Sequence, residues 1–147
     1  KQKTAYEITY GDWSSDVCSS DLDLARQDDE GYVYLVDRKN DMIISGGENV
    51  YSPEVERVLS EHPGVLEVAV IGVPDATWGE SVKAVVALRE GSDATETELI
   101  EWTRERLAHY KAPKSVDIIT ALPRNPTGKI LKRELRKPYW EDQARQV

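Results

Sequence analysis

Two valine-rich runs, residues 65–73 and 81–88, constrain the fold of this 147-residue chain more than any other feature. β-Branched side chains favour strands, so both runs are candidates for the centre of a sheet. Pro74 and Asp75 begin the connection between the runs, because both residue types favour turns. The sequence therefore predicts two central strands joined by a short connection.

Two helices are predicted beside these strands. The first begins at Ser52, whose hydroxyl is expected to cap it, with Pro53 at the first helical position. The second begins at Thr95, which forms a capping box with Glu98. Each helix has an apolar face at helical spacing. These faces are Val55, Val58 and Leu59 in the first helix and Leu99, Ile100, Trp102 and Leu107 in the second.

Two further segments have strand patterns. Residues 115–119 predict a third strand, and the alternation in residues 32–36 predicts a strand of a small hairpin. Strand and helix patterns are therefore intermixed in a domain of about 110 residues. We predict an α+β fold, in which a small sheet of about three strands plus a hairpin packs with two to three helices.

The best catalytic candidate is Lys129, which follows a turn and precedes a basic helix. Pro126 and Gly128 restrict the backbone to a tight turn, so the lysine is delivered to a defined position. A compact cation suits a phosphate whose negative charge grows during a reaction. The alternative is an ordinary solvated lysine, and this segment alone favours that alternative. The turn is not a Walker loop, because Ile130 stands where serine or threonine is required.

A second motif favours the catalytic interpretation of Lys129 over the solvated one. Residues 31–56, GYVYLVDRKNDMIISGGENVYSPEVE, stand upstream of the lysine turn PRNPTGKILKREL, residues 123–135. Together they closely resemble the C-terminal domain of the AMP-forming acyl-CoA synthetases, within the acyl-adenylate-forming superfamily. The resemblance runs from about residue 23 to the end of the chain, and residues 133–140 are similar to the fatty-acyl branch. Such enzymes first form an acyl-adenylate from ATP and an acid. They then transfer the acyl group to coenzyme A after the small domain has rotated.

The resemblance implies that three residues act in the adenylating step. Lys129 would contact the substrate carboxylate and the α-phosphate, while Asp23 and Arg38 would hold the ribose hydroxyls. A carboxylate can accept two vicinal hydroxyls, and a guanidinium brings several fixed donors to the same sugar. The alternatives are a salt bridge at the domain edge for Arg38 and a solvated loop acid for Asp23. The Thr-Gly that precedes Asp23 in the family pattern is missing here.

The resemblance also implies a second surface for the thioester-forming step. Ser45, Gly46, Gly47 and Glu48 would line the tunnel for the pantetheine arm, since paired glycines let a backbone approach a ligand closely. Trp78 would pack beside coenzyme A. The alternatives are a plain turn for the glycines and a half-buried core aromatic for Trp78.

The same resemblance divides the chain into two parts. Residues 1–37 correspond to a remnant of the large N-terminal domain and its linker, and residues 38–147 to the C-terminal domain. The hinge of the rotation falls at Asn40, where relatives usually have aspartate or lysine; the alternative is a polar loop residue. Asparagine adopts left-handed backbone conformations readily, which suits a pivot. Residues 13–22 carry a near-repeat of Ser-Ser-Asp that interrupts the family pattern, so we interpret them as a sequence artefact.

Composition argues against several other functions. The net charge of −8 argues against a nucleic-acid-binding protein, although residues 129–137 hold five bases and one acid. Because this run adjoins Lys129, we interpret it as a phosphate-facing edge in preference to a solvated helix face.

Cys18 has no cysteine partner, and two histidines are too few for a zinc-type cluster, so the chain is not expected to hold a metal. We expect a cytoplasmic location; nothing in the sequence indicates membrane association.

These observations predict the C-terminal fragment of an ATP-dependent acyl-CoA synthetase, an acid–thiol ligase that produces acyl-CoA, AMP and pyrophosphate. Fatty acids are the expected substrates. ATP, coenzyme A and Mg²⁺ would be the cofactors, held mainly by the large N-terminal domain, which would also be the partner of this domain. The fragment alone is expected to be inactive. Two alternatives stay open: an adenylating enzyme for aryl or branched acids, and a free-standing α+β binding module.

Overall fold

The structure is a computed structural model that describes residues 23–27, 30–38 and 41–141. Residues 13–22 and Asn40, the predicted artefact and hinge, lie outside the described residues, as do the side chains of residues 23–27 and 34–38. The described chain forms seven strands and three helices. The strands are β1 (Asp23–Gln27), β2 (Val33–Arg38), β3 (Ile43–Ser45), β4 (Glu48–Val50), β5 (Val65–Asp75), β6 (Gly79–Leu88) and β7 (Ser115–Ile119). The helices are α1 (Ser52–Ser60), α2 (Glu96–Arg104) and α3 (Lys132–Trp140).

The strands form two sheets. Strands β1 and β2 make a two-stranded antiparallel sheet, and the other five make the main sheet around β6. One edge of β6 pairs with β5 along its whole length, from Leu88 opposite Val65 to Gly79 opposite Asp75. Its other edge pairs with β3 at Gly79 and, further along, in parallel with β7. The β5–β6 hairpin is therefore the centre of the domain, as predicted from its β-branched content.

Both faces of this hairpin are covered. One face packs against α1 and α2, and the other packs against the chain that leads into and through α3. The first face includes Val55, Leu59, Val70, Val82, Ala84, Val86 and Leu99. The second face includes Ala69, Ile71, Val73, Val85 and Leu122, with Ile130, Leu135 and Tyr139 beside them. Strands covered on both faces need apolar residues at successive positions, which accounts for the two long runs in the sequence.

The starts of the first two helices differ from each other. Thr95 caps α2 as predicted, because its hydroxyl oxygen accepts a hydrogen bond from the Glu98 N–H at 3.3 Å. Ser52 was predicted to cap α1, and this prediction is wrong: the cap position is Tyr51 and makes no side-chain cap bond. The Ser52 hydroxyl instead lies 2.7 Å from the Lys132 ammonium. No helix in the described part of the chain is long and apolar enough to cross a membrane.

Helix α3 is joined to the sheet by polar contacts as well as apolar ones. The Lys83 ammonium lies 2.6 Å from the Asp117 carboxylate, which also accepts a hydrogen bond from the Tyr139 hydroxyl. Burial alone would raise the pKa of Asp117, but the bonds from Lys83 and Tyr139 outweigh burial and lower it below its ordinary value. The Trp140 indole N–H donates to the Gly72 carbonyl at 3.1 Å. Contacts from β5, β6 and β7 therefore fix the helix that follows the lysine turn.

The predicted α+β class is confirmed. The structure adds two short strands that the sequence did not predict, β3 and β4, which form a hairpin of three residues on each side. This hairpin carries the Gly46-Gly47 pair at its turn.

Candidate functional site

The turn that carries Lys129 is closed by its own backbone. The Asn125 N–H donates to the Lys129 carbonyl at 2.9 Å, and the Gly128 N–H donates to the Asn125 carbonyl at 2.9 Å. Gly128 has a φ of 86°, and a Cβ placed on it would meet no atom of the described residues within 4 Å. This glycine is therefore needed for its positive φ and not for space.

The side chain of Asn125 binds the same turn a second time. Its amide oxygen accepts hydrogen bonds from the Thr127 N–H at 3.1 Å, the Thr127 hydroxyl at 2.8 Å and the Lys129 N–H at 2.8 Å. The sequence pattern indicated Pro126 and Gly128 as the source of this rigidity, and the part played by Asn125 was not predicted. The preference of asparagine for bonding to the backbone two residues ahead is the signal that would have identified it.

Arg124 connects the turn to the main sheet. Its guanidinium donates to the Gly128 carbonyl and also forms an ion pair with Glu67 on β5. Both ends of the guanidinium are therefore used within the domain. The lysine turn is attached to the sheet near the start of β5.

Lys129 differs from the basic residues that follow it. It is exposed, and its ammonium has no hydrogen-bond or ion partner among the described residues. Lys132, by contrast, lies 2.8 Å from Glu56, and Arg136 pairs with Asp41. Those two residues of the basic run hold α3 in place. The predicted phosphate-facing edge is therefore narrower than the run of residues 129–137 suggested.

The second predicted surface is the turn of the β3–β4 hairpin. Gly46 has a φ of 61° and Gly47 a φ of 86°, with Ser45 and Glu48 paired across the turn. Positive φ at both central residues is the requirement of a type I′ hairpin turn, so the turn alone accounts for both glycines. The Ser45 side chain is buried, whereas Gly46, Gly47 and Glu48 are exposed.

Trp78 lies directly against this turn. The Gly46 N–H donates to the Trp78 carbonyl at 2.9 Å, and a Cβ on Gly46 would stand 2.5 Å from the indole ring. A Cβ on Gly47 would meet nothing within 4 Å. Trp78 is 51% exposed and is therefore half-buried, as the alternative interpretation expected, but it is not part of either buried apolar cluster. The structure thus brings together the residues predicted for the second surface.

Lys114 joins Trp78 at this surface, a contact that was not predicted from the sequence. Its ammonium lies 4.8 Å from the centre of the indole ring and 3.3 Å from the Asp75 carboxylate. Lys114 reaches this position because its N–H donates to the Val82 carbonyl of β6 at 2.8 Å as the chain enters β7. No local pattern indicates this contact, which depends on the pairing of β7 with β6.

Asp75 shapes the loop that presents Trp78. Its carboxylate accepts hydrogen bonds from the N–H groups of Thr77 at 2.9 Å and Trp78 at 3.0 Å. These two backbone bonds, together with Lys114, lower the pKa of Asp75 below its ordinary value. The ionised carboxylate therefore keeps the loop and Lys114 together.

Asp23 and Arg38, the two residues predicted to hold the ribose, stand opposite each other in the register of β1 and β2. The pairing of these strands places their Cα atoms side by side in the smaller sheet. Their side chains lie outside the described residues, so their role stays a prediction.

The two surfaces lie near opposite ends of β5. Glu67, which anchors the lysine turn, and Asp75, which supports Trp78, are the third and last residues of Val65–Asp75. At about 3.3 Å per residue, the part of the strand between them spans about 26 Å. The lysine turn and the turn at Gly46 and Gly47, called the glycine turn below, therefore lie at different ends of the main sheet.

The described residues contain no group of three or more His, Cys, Asp or Glu that could hold a metal ion. The lysine turn offers a cation, hydroxyls and amides, and Mg²⁺ prefers carboxylate and phosphate oxygens. These residues do not fit a magnesium site.

Comparisons with known proteins identify the family. Residues 54–129 match the model of the AMP-binding enzyme C-terminal domain. The chain belongs to this family. A long-chain-fatty-acid–CoA ligase of Mycobacterium tuberculosis is 53% identical over 117 residues, which are 80% of this chain and 23% of that protein. Feruloyl-CoA synthase of an Amycolatopsis species is 54% identical over 117 residues, 80% of this chain and 24% of that protein.

A solved structure supports the same assignment. The crystal structure of ATP-bound MatB from Rhodopseudomonas palustris has a TM-score of 0.76 and 41% identity to this domain, over 83% of this chain and 24% of that chain. This AMP-binding enzyme C-terminal domain thus spans about a quarter of the length of the relatives that it matches.

Proposed function

We propose that this domain belongs to an ATP-dependent, AMP-forming acyl-CoA synthetase, which joins a carboxylic acid to coenzyme A. The observation that carries the proposal is the lysine turn: an exposed cation, without an ion partner among the residues that the structure describes, on a backbone fixed by hydrogen bonds. The relatives of this domain are named as CoA ligases. Residues 38–147 are the proposed extent of the domain, with its pivot at Asn40.

In the first step, Lys129 acts on the phosphate. When an acid attacks the α-phosphorus of ATP, negative charge develops on the phosphoryl oxygens, and a cation already in position stabilises that charge without rearrangement. The backbone bonds to Asn125 fix the start of the lysine side chain. Asp23 and Arg38 would hold the ribose of the same nucleotide. The large domain would hold ATP with its Mg²⁺.

In the second step, the glycine turn replaces the lysine turn at the site. Gly47 has no neighbour within 4 Å of its Cβ position in the described part of the chain, so it leaves an open path for the pantetheine arm. Ser45, Gly46 and Glu48 complete the turn. Trp78 offers an exposed aromatic surface to coenzyme A. The spacing of about 26 Å along β5 supports a rotation between the steps, because a single pose cannot bring both turns to one acyl group.

The substrate is proposed to be a fatty acid, on the strength of the resemblance of residues 133–140 to the fatty-acyl branch. An aryl acid is the second candidate, because the feruloyl-CoA synthase is as similar to this chain as the fatty-acid ligase. The acid-binding residues would belong to the large domain.

The test is Lys129→Ala in the full-length enzyme, with each half-reaction measured separately. Loss of one preorganised charge is expected to lower the rate of adenylate formation by about a hundred- to a thousandfold. Conversion of supplied acyl-adenylate and coenzyme A to the thioester is expected to stay near the wild-type rate. A variant that forms adenylate normally would contradict the proposal. Parallel assays with a fatty acid and with ferulic acid distinguish the two substrate classes.

A further inference from the structure

We infer that Asn125 and Arg124 are positioning residues, which set the place of Lys129 without touching the substrate. This inference rests on the proposed role of Lys129. It goes further because it assigns the precise position of Lys129 to two neighbouring residues. Asn125 holds the Lys129 backbone, and Arg124 attaches the turn to the sheet.

Asn125 binds both polar groups of the Lys129 backbone. Its amide oxygen accepts from the Lys129 N–H at 2.8 Å, and its own N–H donates to the Lys129 carbonyl at 2.9 Å. With both groups bound, the Lys129 Cα cannot rotate independently of Asn125. A lysine side chain is long and flexible, so fixing its origin is the part of the positioning that the backbone can supply.

The same amide oxygen also binds Thr127 twice, at 3.1 Å to the N–H and at 2.8 Å to the hydroxyl. A single acceptor therefore organises the backbone at both ends of the Thr127-Gly128-Lys129 segment. Pro126 has no N–H and Gly128 has no side chain, so neither could take over this function. Loss of the Asn125 carboxamide leaves the Lys129 N–H without its partner.

Arg124 supplies the second anchor. One end of its guanidinium binds the Gly128 carbonyl, next to Lys129, and the other binds Glu67. Glu67 is paired with Ala87 of β6, inside the central hairpin. The turn is thereby tied to the central β5–β6 hairpin of the main sheet. Because both ends are occupied, Arg124 is a positioning residue and not a second phosphate ligand.

The experiment compares Asn125→Ala with Asn125→Asp in the full-length enzyme. Asn125→Ala is expected to lower kcat of adenylate formation by about ten- to a hundredfold, because displacement of a reacting group by about 1 Å has an effect of that size. KM for ATP, the thioester step from supplied acyl-adenylate and the melting temperature are expected to stay near wild type. Asn125→Asp keeps an acceptor oxygen and is expected to recover most of the lost rate.

Arg124→Gln provides an independent variant, with Arg104→Gln as its charge-matched control. Arg104 is exposed at the end of α2, and its side chain has no hydrogen-bond or ion partner within the residues that the structure describes. Arg124→Gln is expected to lower adenylate formation at least several-fold, and Arg104→Gln to leave it unchanged. Equal effects of the two variants would overturn the role of Arg124, because they would reflect net charge alone.

The outcomes separate this inference from the proposed function. Normal adenylate formation by Asn125→Ala, beside a defective Lys129→Ala, would overturn the inference and leave the proposed function intact. Parallel loss of both half-reactions and of thermal stability in Asn125→Ala would also overturn it, because that result indicates a purely structural residue. Normal adenylate formation by Lys129→Ala would overturn both.

Discussion

The lysine turn and the glycine turn both require a backbone at positive φ, but different contacts stabilise them. Both contain glycine at positive φ, yet the first is held by backbone bonds together with side-chain hydrogen bonds from Asn125 and Arg124, and the second by strand pairing and an aromatic ring. At Gly128 a Cβ would meet nothing, whereas at Gly46 it would collide with Trp78. The lysine turn is polar, and the glycine turn is packed against Trp78 at Gly46 but open at Gly47. The lysine turn therefore presents the charge of Lys129, and the glycine turn presents an aromatic surface formed by Trp78.

The difference predicts unequal costs for the same substitution. Gly46→Ala combines positive φ with a contact of 2.5 Å to an indole ring, so it is expected to destabilise the domain by about 2 to 4 kcal/mol. Gly128→Ala has the positive φ alone and is expected to cost about 1 to 2 kcal/mol. Gly47→Ala, in the same turn as Gly46, is the matched control and should resemble Gly128→Ala. Urea unfolding of the three variants measures the difference. Equal costs would show that Trp78 moves aside freely.

The sequence predicted the elements whose signals are local. The two central strands follow from their β-branched runs, and the start of α2 follows from Thr95 and Glu98. The position of Lys129 on a fixed turn before a helix also agrees with the structure. Asn125 could have been included, because its hydrogen bonds reach only as far as Lys129.

The contacts that the sequence did not predict join residues far apart in the chain. The Ser52 hydroxyl meets Lys132, 80 residues later, and this contact replaces the predicted helix cap. Arg136 pairs with Asp41, 95 residues earlier, so part of the basic run holds α3 and does not face a phosphate. Lys114 meets Trp78 only because β7 pairs with β6. No local pattern encodes a partner at such a distance.

Trp78→Ala tests whether the surface formed by the glycine turn and Trp78, called the packed surface below, binds coenzyme A. Stacking of a base on an aromatic side chain contributes about 1 to 3 kcal/mol, so the substitution is expected to raise KM for coenzyme A by roughly five- to a hundredfold. Adenylate formation is expected to be unaffected, because the lysine turn lies near the other end of β5. Trp78→Phe keeps an aromatic face and should recover much of the affinity. Equal loss of both half-reactions in Trp78→Ala would remove the functional distinction between the turns.

Asp117→Asn tests whether α3, which follows the lysine turn, depends on the Lys83–Asp117–Tyr139 contacts. The substitution leaves the largely buried Lys83 charge without its partner. We expect a loss of about 1 to 3 kcal/mol in the free energy of unfolding at pH 7, less than for a fully buried pair because Asp117 is 37% exposed.

The stability difference between the wild type and Asp117→Asn is expected to change with pH in a defined direction. The pKa of Asp117 is lowered from 3.8 in the folded domain, so its stabilising effect is present above that value and is lost as the pH falls through the folded pKa. The stability difference between wild type and Asp117→Asn should be constant from about pH 7 to pH 5 and shrink below about pH 4. Urea titrations at several pH values measure it. A difference that persists unchanged at pH 3 would contradict the assignment to the ionised carboxylate.

The smallest expected effect is that of Lys114→Gln, and it tests whether charge contributes to the packed surface at all. Lys114 is 42% exposed and already lies beside Asp75, so water and that carboxylate weaken its attraction for a coenzyme A phosphate. We expect KM for coenzyme A to rise about two- to fivefold, as for an exposed ion pair of up to about 1 kcal/mol. The effect should decrease as salt is raised, whereas that of Trp78→Ala should not. Lys137→Gln is the control, because Lys137 is a 64% exposed lysine on α3 that lies 4.0 Å from Glu141. A salt-independent loss in Lys114→Gln would mean that Lys114 acts by supporting the indole ring, and the glycine turn would then present an apolar surface alone.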